Sequence, residues 1–140
     1  MNFRSALRAA LGRQRPPAPA PAPATSRPVA SGPAPAVEGV TAGSEAIAVD
    51  LSGADVDLVF LTSSCRECKQ CWARATAADV IVTPDPATDS PRAVARLAPP
   101  GVTVVMSSPA WHSYGITKAP WRVKIRGGEI VSSGPAVQLR

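Results

Sequence analysis

Three cysteines fall close together in Cys65-Arg66-Glu67-Cys68-Lys69-Gln70-Cys71, and no other stretch of the chain concentrates so much reactive chemistry. Two cysteines spaced i, i+3 lie about one helical turn apart, near enough for their sulfurs to close an intramolecular disulfide. If Cys65 opens a helix, the free N–H groups and the macrodipole there favour its thiolate, the form that attacks a disulfide. Cys65 is then the nucleophile and Cys68 the thiol that resolves. Arg66 favours the thiolate by charge and Glu67 opposes it, so both are modulating residues and the direction of electron flow is left open. Cys71 brings a second chemistry into view. Cys65, Cys68 and Cys71 with the lone His112 make a Cys3His set for zinc, or part of an iron–sulfur site. Ligands at i, i+3 and i+6 of a continuous helix drift around its axis, however, whereas structural zinc sites draw on turns and a second element. Thiol exchange is the favoured reading, with Cys71 a small buried side chain or secondary thiol and His112 a surface or satisfied histidine.

A nucleophilic cysteine must be held by something rigid, and the flanking sequence supplies it. Leu58-Val59-Phe60-Leu61, within a strand predicted over Val56 to Thr62, is a continuous apolar run typical of a strand covered on both faces. After Ser63-Ser64 the segment Cys65 to Ala78 has no Gly or Pro, and Ser64 is a plausible N-cap. Ala46–Leu51, Val80–Thr83 and Val102–Met106 read as strands, and Ser90–Leu97 as a helix with Pro91 in its first turn. Trp121–Arg126 and Glu129–Ser133 flank Gly127-Gly128, a two-residue hairpin signal. The predicted order is β-β-α-β-α-β-loop-β-β, which implies an α/β fold with a mixed central β-sheet flanked by helices.

The strand, the Cys65–Cys68 pair and the helix, followed later by Tyr114-Gly115-Ile116-Thr117-Lys118-Ala119-Pro120-Trp121 and the hairpin, resemble the thioredoxin-like superfamily in family order. Ser64 rather than tryptophan before the first cysteine makes the chain more similar to the TlpA/redoxin-type branch of thiol-disulfide oxidoreductases. The resemblance runs from about Val40 to Gly134. It implies that Pro120 is cis and packs against Cys65 and Cys68, and that the backbone of Ala119 pairs with an extended substrate segment. A proline there offers no N–H and cannot ligate a metal. The chain departs from the family in carrying Val59 where thioredoxins place a buried acid, with Asp57 on the same strand face but further away. It departs again in Cys71 and in a shortened C-terminal helix, for which only Pro135 to Arg140 remain; that shortening would leave an apolar sheet face uncovered. The implied activity is exchange of the dithiol or disulfide with a protein or small-molecule disulfide, without cofactor. The partners are that thiol or disulfide substrate and an electron donor or acceptor. A metal-binding module and a redox-inactive scaffold of the same fold are the alternatives.

Charge and composition confine the rest. The net charge of +5 over 140 residues is carried entirely by residues 1–28, which contain Arg4, Arg8, Arg13, Arg15 and Arg27 and no acid; residues 29–140 hold ten basic and ten acidic side chains. The body therefore has no electrostatic footprint for nucleic acid. Residues 1–15 read as a short basic segment, helical at best, and 16–39 as a disordered Pro/Ala-rich linker, so that the domain is expected over 40–140. Membrane association through the arm is not expected, and the protein is expected to be a monomer. With no apolar run of the length that a signal peptide or spanning helix needs, the chain as written is expected in the cytoplasm, or outside it if the start is mis-set.

Overall fold

The computed structural model describes residues 27–136. The basic segment 1–15, the first part of the linker (16–26) and the residues after Ala136 lie outside them. Eight strands form one sheet, β1 (Gly32–Pro33), β2 (Val37–Val40), β3 (Ala46–Val49), β4 (Val56–Phe60), β5 (Asp79–Thr83), β6 (Thr103–Met106), β7 (Trp121–Arg126) and β8 (Glu129–Pro135), with helices α1 (Cys68–Arg74), α2 (Pro91–Leu97) and α3 (Ser108–Ser113). The spatial order is β1-β8-β7-β4-β5-β6-β2-β3. β4, β5 and β6 run parallel, linked through α1 and α2, while β7 and β8 fold back antiparallel beside β4. This is the mixed, helix-flanked sheet expected from the alternation of strand and helix patterns.

Side chains alternate across a strand, and β4 distributes them between two cores. Leu58 and Phe60 face a cluster with Tyr114, Val123 and Ile125 on the α3 side. Val59 and Leu61 face the other side, where Trp72 of α1 and Val94 of α2 pack with Ile81 and Met106. Both halves of the run are fully buried, which explains why it shows no polar alternation. Among the described residues no helix is long and apolar enough to cross a membrane.

The sequence reading needs correction in four places. β1 and the first three residues of β2 fall inside the segment read as linker 16–39, so the packed body extends upstream of Val40. Val37 is completely buried, and Gly39 sits where an added Cβ would run into the Met106 carbonyl; a short strand with glycine earns its place by close approach to β6. The stretch before β7, read as loop, contains α3: Ser107 accepts a hydrogen bond from the Ala110 amide and proline occupies the first turn, both of them start signals visible in the sequence. Helix α1 begins at Cys68, not Cys65, and ends at Arg74. Finally, the α1-side surface of β7 and β8 is not apolar. Arg122 and Lys124 stand opposite Gly134 and Ser132 there, over an Asp57–Arg122–Asp79 set of ion pairs.

Candidate active site

The turn between β4 and α1 carries the cysteines, and it is pinned at several points. The Leu61 amide donates to the Val82 carbonyl at 3.1 Å, prolonging the β4–β5 pairing past the strand end. Trp72 Nε1 reaches back from α1 to donate to the Thr62 carbonyl at 3.2 Å. Ser63 gives both its amide, at 3.0 Å, and its hydroxyl to the Asp89 carboxylate. Asp89 also accepts from the Ser90 amide at 2.8 Å, at the N-cap of α2. Nothing in the sequence pointed to Asp89; its partner is distant in the chain and no local motif links them. Trp72 was readable as a core residue of α1 but not as a strut.

Cys65 and Cys68 form a disulfide with Cα atoms 5.2 Å apart. Cys68 is wholly buried, whereas Cys65 is partly exposed. Because α1 starts at Cys68 with Glu67 in the N-cap position and no side-chain cap, Cys65 lies in the preceding turn and Ser64 caps nothing. The feature that favours charge on Cys65 is therefore one specific donor, the Cys68 amide, 3.1 Å from Cys65 Sγ. Arg66 and Glu67 are both exposed, so any influence they have on the sulfurs is a screened one.

The second half of the site comes from the loop before β7. The Ala119–Pro120 peptide is cis, and the Ala119 carbonyl oxygen lies 4.0 Å from Cys65 Sγ. Ala119, Cys65 and Cys71 all pack against the α1-side core. Ala119 makes no backbone hydrogen bond among the described residues, while the Pro120 carbonyl accepts from the Ala136 amide at 3.1 Å.

The alternative metal set is not brought together. The sulfurs of Cys65 and Cys68 are bonded to each other, Cys71 lies a turn further along α1, and His112 is exposed on α3, which packs on the opposite face of the sheet. No group of three or more His, Cys, Asp or Glu side chains is placed to hold a metal ion among the described residues. Cys71 is a free thiol; burial pushes its pKa up, with Arg122 and Arg74 pulling the other way.

Comparison of the whole architecture with solved structures finds consistent neighbours. A Chlorobium tepidum protein assigned as the thiol:disulfide interchange protein DsbE superposes with a TM-score of 0.60 at 21% identity, over 78% of this chain and 86% of that one. The thioredoxin domain of a thiol-disulfide oxidoreductase from Bacteroides vulgatus gives 0.57 at 19%, over 80% and 89%.

The chain has the thioredoxin fold.

An exposed lipoprotein thioredoxin of Streptococcus pneumoniae matches as well, with a TM-score of 0.55 at 16% identity over 75% of this chain and 92% of that one. No protein-family model and no curated protein matches the sequence. Within the thioredoxin fold, the CxxC pair at a strand-to-helix turn and a cis-proline loop facing it are the two halves that the sequence resemblance anticipated.

Proposed function

We propose that this chain is a thiol-disulfide oxidoreductase that exchanges its Cys65–Cys68 pair with the disulfide or dithiol of a protein or small-molecule substrate. The observation that carries the reading is the asymmetry of the pair: a partly exposed Cys65 beside the cis Ala119–Pro120 peptide, bonded to a Cys68 that solvent does not reach. Only Cys65 is accessible to an incoming sulfur.

In the reducing direction the Cys65 thiolate attacks one sulfur of the substrate disulfide. A mixed disulfide forms and the other substrate sulfur leaves as a thiolate that takes up a proton. Cys68, deprotonated, then attacks Cys65 Sγ, restoring the Cys65–Cys68 bond and releasing the second substrate thiol, so that two electrons pass to the substrate. The oxidising direction is the reverse of the same two exchanges. In either direction the Cys68 amide donates to the sulfur of Cys65 when it carries charge, and the backbone of Ala119 aligns an extended substrate strand.

The test is a trap. Changing Cys68 to Ser removes the resolving thiol, so the variant should accumulate an adduct on Cys65 that mass spectrometry detects and dithiothreitol releases; Cys65→Ser should accumulate none. If neither variant forms an adduct with any disulfide offered, the exchange reading fails.

A further inference from the structure

Strand β1 covers only one end of β8. Its contacts stop at Gly32 opposite Ile130 and Pro33 opposite Glu129. Gly32 has φ +99°, a conformation that suits glycine, and the chain upstream of it swings away: the Val29 amide donates to the Tyr114 carbonyl at 3.1 Å. From Val131 to Gly134, therefore, β8 has no neighbour on its outer side among the described residues. Open edges of this kind present unpaired N–H and C=O groups and are templates for an added strand.

Two properties of this edge say what fits it. Val131 is 53% exposed, which gives an incoming strand an apolar contact. On the α1 side the same stretch walls an open groove of about 310 Å³, lined by Arg122, Lys124, Ser132, Ser133, Gly134 and Pro135. The lining has two cations and no carboxylate. The acids that pair with Arg122 lie beneath it, with Asp57 and Asp79 side chains 15% and 10% exposed against 35% for Arg122, and Lys124 makes no ion pair among the described residues. The far end of the edge leads to the exchange site, because Ala136 is hydrogen-bonded to the carbonyl of cis Pro120.

We propose that the β8 edge from Val131 to Gly134 docks an extended, acidic segment of a partner protein, which adds to the sheet as a strand while its carboxylates meet Lys124 and Arg122. This deepens the exchange reading, on which it rests for the role of the docked partner, by naming what holds a protein substrate alongside Cys65. Charge selects this occupant over two others. The chain's own arm, with Arg4, Arg8, Arg13 and Arg15 and no acid, would bring cations to cations; a second copy paired edge to edge would set two basic grooves side by side.

The experiment titrates a fluorescein-labelled peptide of alternating glutamate and threonine into the Cys65→Ser/Cys68→Ser double variant and follows anisotropy, so that binding is read even if the exchange reading is wrong. Saturable binding is expected, weakened roughly tenfold by adding Lys124→Glu, a change of surface charge alone. The same peptide with alternate backbone amides N-methylated should not bind, since it cannot pair with a strand edge. Equal binding of a lysine–threonine peptide or of the N-methylated peptide would overturn the proposal. So would a wild-type dimer in sedimentation that Val131→Asp splits, which would assign the edge to a second copy.

Discussion

The Asp89 carboxylate holds both the amide and the hydroxyl of Ser63, two residues upstream of Cys65, and so ties the start of α2 to the turn that presents the exposed sulfur. The two segments are far apart in sequence, so this clamp is a tertiary contact that keeps the Cys65 turn from moving independently of the sheet.

Replacing Asp89 by Ala leaves the Ser63 amide and hydroxyl without their acceptor in a part-buried setting and the exposed Ser90 amide without its own. The loss expected is about 1–3 kcal/mol in urea denaturation, together with slower adduct formation on Cys65 in the Cys68→Ser background. Asp89→Asn, which keeps an acceptor oxygen, should recover part of both.

Gly39→Ala tests the approach of β2 to β6. The added Cβ would meet the Met106 carbonyl, backbone that cannot yield cheaply, and the Ser107 Cβ, so destabilisation of at least about 1–3 kcal/mol is expected. Hydrogen exchange should show the loss first at β2 and β3, which join the sheet through Val40 opposite Met106.

Tyr114 fastens the segment that precedes β2 to α3. Its hydroxyl donates to the Pro35 carbonyl, and burial pushes its pKa well above the ordinary tyrosine value, so it stays a donor at any working pH. Tyr114→Phe should cost about 1 kcal/mol and speed proteolysis between residues 29 and 36, with exchange at Cys65 unaffected.

Cys71 provides a pH test. Burial raises its pKa above the ordinary thiol value, so the folded state holds its proton where an unfolded thiol has begun to lose it. The stability this contributes is intact below the ordinary thiol pKa and is lost as pH rises through it towards the raised value. Iodoacetamide should therefore label Cys71 of the oxidised protein more slowly than it labels glutathione in mildly alkaline buffer, and the gap should narrow as pH increases. Equal rates throughout would remove the case for a buried thiol.

Much of this was legible in the residues. The apolar run Leu58 to Leu61 identified the central strand because burial on both faces leaves no polar alternation; Gly127-Gly128 marked the hairpin; the Cys65–Cys68 spacing and Pro120 located the two sides of the site. What escaped was set by tertiary partners. The β2 residues Val37–Val40 form a strand because β3 and β6 pair with them, a fact that a short proline-flanked segment containing glycine does not advertise. The Cys65 turn looked helical because its residues tolerate a helix, whereas the bonds from Trp72 to Thr62 and from Ser63 to Asp89 hold it as a turn. The sheet face left uncovered by the shortened C-terminal helix was expected to be apolar, although Arg122, Lys124 and Arg126 alternate along the α1 side of β7 in plain sight.

The alternation of β4 between two cores gives the molecule an optical asymmetry. Of the three tryptophans, Trp72 is buried in the cluster that Cys65 packs against, while Trp111 and Trp121 pack against the cluster across the sheet, Trp111 edge-on to Phe60. Opening the Cys65–Cys68 bond is expected to reach the emission of Trp72 first, with Trp111, across the sheet from the disulfide, the least affected reporter in the unlabelled protein.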